Sequence, residues 1–115
     1  MKVTGRARKI SIYFSDSESY KGKALDDAIV ERALEYGIDG ATVIHGIEGF
    51  GRHHEIHAAK VRRFGKDDPH TPVVVVMVAR EDRAEGFLSI LDEMIGEGIV
   101  TIEDVEMRQY RREED

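Results

Sequence analysis

The run Val73-Val74-Val75-Val76-Met77-Val78-Ala79 limits what this chain can fold into more than any other stretch of it. Its β-branched composition favours extended backbone, and Pro69 and Pro72 just upstream mark a boundary before it. Successive side chains of a strand point to opposite faces of the sheet. A strand with one wet face therefore alternates apolar and polar residues, and this one does not alternate. The run is far shorter than the ~18 to 20 apolar residues that a membrane span needs. It therefore predicts a central strand covered on both sides.

The rest of the chain supplies cover for one side. Ile10, Ile12 and Phe14 alternate with Lys9, Ser11 and Tyr13, a first strand. Residues 16–23 are polar and contain Gly22, a loop. Leu25, Ala28, Ile29, Ala33 and Tyr36 then recur at helical spacing, with Gly37 where a C-terminal cap belongs. Ala41 to Ile44 reads as a second strand. Residues 52–72 form a long connection, with a helical turn expected near Glu55 to Lys60, before the valine strand. Ala84, Phe87, Leu88, Leu91, Met94 and Ile95 make the stripe of a second helix. Ile99 to Val105 is the last strand, extendable through Met107 to Tyr110, and residues 111–115 are a charged tail.

The order βαββαβ predicts an α+β, ferredoxin-like fold: a four-stranded antiparallel sheet with both helices on one face. At 115 residues the chain is one domain, residues 1–115, with nothing left to cover the second face of the sheet. A homo-oligomer packed through its sheets follows.

Composition removes several functions. The chain has no cysteine, which excludes disulfides, thiolate catalysis and cysteine-held metals. The net charge of −6 argues against nonspecific binding to nucleic acid or an anionic membrane. With no apolar segment of spanning length and no signal-peptide pattern at its start, the chain is expected to be cytoplasmic. The serines stand outside any nucleophile motif, and Asp26-Asp27, Asp67-Asp68 and Glu113-Glu114 read as helix-start or surface acids, so no catalytic constellation is expected.

The chain's acidity is not evenly spread. Arg52, Lys60, Arg62, Arg63 and Lys66 face the single acid Glu55 between residues 52 and 66, a local +4 that leaves the remainder at −10. His53, His54 and His57 add charge as pH falls. Gly46, Gly49 and Gly51 lie just upstream, where backbone N–H groups can approach a phosphate or carboxylate, and a positive φ at Gly51 would make that element critical to the backbone. Together these features mark an anion-binding loop. A metal reading competes with it. On a helix His53 and His57 would share a face, with His70 as a further donor, although His54-Glu55-Ile56-His57 is one residue short of the His-Glu-x-x-His motif.

Gly37-Ile38-Asp39-Gly40-Ala41-Thr42-Val43 followed by Gly49-Phe50-Gly51-Arg52 closely resembles the nitrogen-regulatory PII signalling proteins. Tyr20-Lys21-Gly22-Lys23, His45-Gly46-Ile47-Glu48, Ile56-His57 and Leu91-Asp92-Glu93-Met94 resemble the short, functionally uncharacterised bacterial branch of PII-like proteins, over about residues 8–107. The resemblance implies a trimer, with residues 52–72 as the mobile, effector-contacting T-loop. It also implies a small anionic ligand, an adenine nucleotide in the first instance, between protomers. Candidate ligand-binding residues are Thr42, Gly49, Gly51, Arg52, His53, His57, Lys60, Arg62 and Arg63. The regulated partner implied by analogy is a protein such as a membrane transporter or an enzyme. The chain also departs from the PII pattern. No tyrosine lies between Phe50 and Pro72, so uridylylation of the loop has no acceptor, and Gly96-Glu97-Gly98 offers no lysine to phosphate. The expected function is a non-enzymatic ligand sensor, set against a small metal-binding protein using His53, His54 and His57, or a ligand-free structural adaptor.

Overall fold

The computed structural model describes residues 1–51, 56–58 and 71–113. In chain order these form β1 (Lys2–Ser15), β2 (Ser19–Tyr20), β3 (Lys23–Ala24), α1 (Leu25–Tyr36), β4 (Gly40–His45), β5 (Glu48–Gly49), β6 (His57–Ala58), β7 (Pro72–Arg80), α2 (Glu81–Met94) and β8 (Ile99–Tyr110). The four long strands make one antiparallel sheet in the order β4-β7-β1-β8. Both helices pack on one face of it, the ferredoxin-like arrangement that the element order predicts.

Register fixes which residues meet the helices. Ile10, Ile12 and Phe14 of β1 stand opposite Met77, Val75 and Val73 of β7. These six side chains pack with Leu25, Ile29 and Ala33 of α1 and Ala84, Phe87 and Leu91 of α2 in a continuous core. The valine run alternates in burial although it does not alternate in polarity: Val73, Val75, Met77 and Ala79 are buried under the helices, while Val74, Val76 and Val78 lie half-buried on the opposite face. On that face Ile44, Val74, Tyr13 and Ile99 form a row across all four strands. Ile44 is 52% exposed and Ile99 60%, so among the described residues nothing of the protomer covers this end of the sheet. The sequence implied cover on both faces; one protomer provides it on one.

The ends of α1 follow local chemistry. Asp26 and Asp27 occupy its first turn, where carboxylates oppose the positive end of the helix dipole. Gly37 closes it in the left-handed conformation, φ 92°, donating its N–H to Ala33 and Leu34 carbonyls while Ile38 N–H also reaches Ala33. The Arg83 guanidinium of α2 donates to the Tyr36 carbonyl at 2.8 Å, taking up another acceptor of that terminus. The Tyr36 and Phe87 rings meet with centroids 5.6 Å apart, joining the two helices.

Three local features differ from the sequence reading. The first strand begins at Lys2, because Lys2 to Arg6 pair with Tyr110 to Glu106 of β8 in a two-stranded ribbon beyond the end of β7. Val3 is the one apolar residue among Lys2 to Arg6, so no period reveals it. The expected loop at 16–23 contains the small β2–β3 hairpin, turning at Lys21 (φ 50°) and Gly22 (φ 79°), both positive as a primed hairpin turn requires. Within the expected helical turn at 55–60, His57 and Ala58 are instead a strand, β6, paired with β5.

Candidate functional site

The long connection leaves the sheet after β4 and returns before β7, and the structure pins both of its ends. At the exit, Gly46 N–H donates to the Pro72 carbonyl at 2.8 Å. A Cβ on Gly46 would lie 2.7 Å from Pro72 Cγ, and one on Gly49 would lie 3.1 Å from it, so these glycines allow the chain to fold tightly against the proline. At the return, Asp16 N–H donates to the Thr71 carbonyl at 2.9 Å, and the buried Thr71 hydroxyl donates to the Asp16 carboxylate at 2.8 Å. The connection therefore springs from a rigid base. Beyond Gly46, β5 pairs with β6, setting Gly49 opposite His57 and Glu48 opposite Ala58. Ile47, Phe50 and Ile56 are largely exposed around this ribbon.

Of the candidate residues, Gly49 and His57 are thus brought face to face through their backbones. Thr42 is apart from them, exposed on the open face of the sheet and opposite Val76. Gly51 is exposed, a Cβ there would meet open space, and its φ is not positive. The expectation of a strained Gly51 is therefore corrected: the close-packed glycines are Gly46 and Gly49. Arg52, His53, Lys60, Arg62 and Arg63, together with His54 and His70, lie outside the described residues. The helical face assumed for His53 and His57 fails at His57, which is in a strand. Among the described residues no group of three histidines or carboxylates gathers as metal ligands would.

Sequence reasoning missed Asp16, Thr71 and Pro72 as the residues that hold the loop base. Pro72 had a signal, a proline at the edge of the valine strand. The Asp16–Thr71 contact spans 55 positions and had none. At the same end of the sheet but on its other edge, Gly98 sits where a Cβ would lie 2.7 Å from the Tyr13 carbonyl, so close backbone packing accounts for a glycine in the turn before β8. Nearby charges are structural. His45 Nε2 lies 3.8 Å from an Asp26 oxygen, and the Lys23 amine is raised above its ordinary range by its hydrogen bond to Glu31 and then by that carboxylate's charge. No helix among the described residues is long and apolar enough to cross a membrane.

Comparison with known proteins places this geometry. The chain is 35% identical over 104 residues to a UPF0166 protein of Aquifex aeolicus, covering 89% of this chain and 93% of the relative. Among solved structures, CPII of Thiomonas intermedia K12, a nitrogen regulatory PII-like protein bound to ADP, AMP and bicarbonate, superimposes with a TM-score of 0.58 at 15% identity, over 91% of both chains. A putative PII-like signaling protein from Thermus thermophilus superimposes with a TM-score of 0.57 at 15% identity, over 92% of this chain and 91% of that one. The fold is thus the PII-like variant of the ferredoxin-like class. With the family model DUF190, Uncharacterized ACR, matching residues 7–107, the chain belongs to the DUF190 family.

Proposed function

We propose that this protein is a non-enzymatic ligand sensor of PII type: a cytoplasmic trimer that binds a small anion, an adenine nucleotide in the first instance, between protomers and docks a regulated protein through residues 52–72. One observation carries the proposal. Five cations against one acid sit between residues 52 and 66 of an otherwise acidic chain, on a connection whose two ends are held at Gly46–Pro72 and Asp16–Thr71. An anion approaching that segment gains a favourable local potential despite the net charge of −6. A pinned base lets ordering of the loop on binding alter the surface offered to a partner, an order–disorder switch. That CPII, similar in fold, is bound to ADP, AMP and bicarbonate supports the choice of ligand. A transporter or an enzyme is the partner class by analogy with PII proteins.

Isothermal titration with ADP, AMP, ATP and bicarbonate, and separately with zinc, tests the reading. Nucleotide binding should weaken with added salt, since exposed charges are screened over about 8 Å at physiological ionic strength. It should weaken again as pH rises through the histidine range, because neutral imidazole carries no charge. Replacing Arg52, Arg62 and Arg63 by Gln should remove most of the salt dependence. No heat from any anion at millimolar concentration, or binding unchanged in that triple variant, would overturn the sensor reading; tight zinc binding alone would favour the metal one.

A further inference from the structure

β8 is the outermost strand on its side of the sheet. One of its edges pairs with β1 from Tyr13 back to Lys2, and among the described residues nothing pairs with the other. At 12 residues, Ile99–Tyr110, it is about twice the length of an ordinary strand. An open row of backbone donors and acceptors is a template for another strand. Neither proline nor lysine, the residues that commonly block such an edge, occurs in β8. From Ile99 to Met107 its only charges are Glu103, Asp104 and Glu106.

The helices leave this strand uncovered, because α2 lies over β1 and β7. Register sets Ile12, Ile10 and Arg8 of β1 opposite Val100, Ile102 and Asp104, which places these three β8 residues on the helix side of the sheet. Ile10 is fully buried, yet Ile102 beside it is 47% exposed. On α2, Glu85, Leu88 and Asp92 recur at three- and four-residue spacing along one flank, while Arg83 and Gly86 on the other meet Tyr36 of α1. Arg8 reaches Glu85 at 3.1 Å and Asp104 at 3.4 Å, so the first flank borders β8. Toward the loop base, half-buried Leu88 follows Glu85 along α2 and Ile102 precedes Asp104 along β8. The strand edge is therefore the floor of a channel that is apolar near Ile102 and acidic near Asp104.

We infer that the outer edge of β8 receives an extended segment of a partner protein as an added strand, with cations against Glu103, Asp104 and Glu106 and apolar side chains against Ile99 and Ile102. Charge selects the occupant. Glu85, Asp104 and Glu106 each lie within 4 Å of Arg8 or Arg108, but their side chains are 76%, 89% and 75% exposed, which leaves carboxylate oxygens for a second cation. Full-length antiparallel pairing with β8 of a second copy sets Glu103 against Glu106, like charges directly opposite, which destabilises a sheet. β4, the other outermost strand, has no lysine or arginine to offer. Antiparallel pairing is the more stable kind, so the segment that fits has its cations first and its apolar residues after them. The surface lies outside residues 52–72 and needs no anion bound there, so the inference does not rest on the sensor reading.

The probe is a fluorescein-labelled peptide, Arg-Lys-Arg-Val-Ile-Val, titrated with the full-length protein at low ionic strength and followed by anisotropy. It should bind, and added salt should weaken it. Two control peptides should not bind: one with Glu in place of each cation, and one that keeps every side chain but carries N-methyl groups at alternate residues and so cannot donate to a strand edge. Ile102→Lys, at a half-exposed position, should weaken the probe about tenfold or more, the loss of one covered isoleucine. Asp92→Lys, exposed on α2, should weaken it by a smaller factor and keeps the test open if the strand variant does not fold. Far-UV circular dichroism checks both variants. No binding of the probe at millimolar concentration, equal binding of the N-methylated peptide, or affinity unchanged in both variants would overturn the added strand. Loss of the wild-type assembly in folded Ile102→Lys would overturn it too, by showing that a second copy occupies the edge.

Discussion

Lysine at Val74 and Val76 together should abolish assembly and spare the fold, whereas lysine at Val73 and Val75 together should destroy the fold. Both pairs lie in one strand with the same sequence character, and only the face differs. Val73 and Val75 are fully buried between the sheet and both helices. Trimming Val75 to Ala removes two carbons at about 0.8 kcal/mol each. With the cavity it leaves, the loss is about 2–3 kcal/mol. Two unpaired ammonium groups in the same place cost several kcal/mol each, even after relaxation. A chain of 115 residues has roughly 6–17 kcal/mol of stability in total, at ~0.05–0.15 kcal/mol per residue. The Val73/Val75 variant therefore consumes most or all of that margin. Val74 and Val76 are half-buried on the open face, so lysines there can carry their amines out to water along their own stems. The loss to the protomer is about 1 kcal/mol, the span of strand propensity. In a sheet-packed trimer the same substitutions bring six ammonium groups into one apolar interface. Light scattering coupled to gel filtration, with far-UV circular dichroism on the same peak, reads both effects. A trimeric Val74→Lys/Val76→Lys protein, or a folded Val73→Lys/Val75→Lys one, would refute the assignment of faces.

Other consequences can be checked more briefly. Gly86→Ala would place its Cβ 1.9 Å from the Tyr36 hydroxyl, so the ring must move off Phe87. Overpacking of this kind costs about 1–3 kcal/mol. Adding Tyr36→Phe should recover much of it in thermal melts, and a double variant no more stable than Gly86→Ala would contradict the clash. Gly37→Ala should lower stability by about 1 kcal/mol, because its left-handed cap is strained for any residue with a Cβ. Gly46→Ala, 2.7 Å from Pro72 Cγ, should disturb the base of the loop and weaken anion binding more than it lowers the melting temperature, while Gly51→Ala should leave both unchanged. Lys23, raised by Glu31, contributes stability that is complete below its ordinary pKa of 10.5 and fades as pH rises through the higher folded value. Lys23→Gln should therefore leave the shape of a stability profile between pH 6 and 9 unaltered.

Short-range chemistry made much of the fold legible in the sequence. Apolar spacing located both helices, Gly37 marked the end of α1, and β-branched residues marked the valine strand, because period and turn chemistry are properties of neighbouring residues. The same residues implied a second, uncovered sheet face, since five valines cannot be explained by one layer of helices. The charge of the loop was likewise visible as composition. Which valines face the helices was not. Side chains alternate with a period of two, so either parity satisfies a run that is apolar throughout, and the register with Ile10, Ile12 and Phe14 decided it. Lys2–Arg6, apolar only at Val3, became a strand only because β8 lies beside it. Pro72 against Gly46 and Thr71 against Asp16 join residues 26 and 55 positions apart, and no local pattern announces a contact whose partners are brought together by the closure of the sheet.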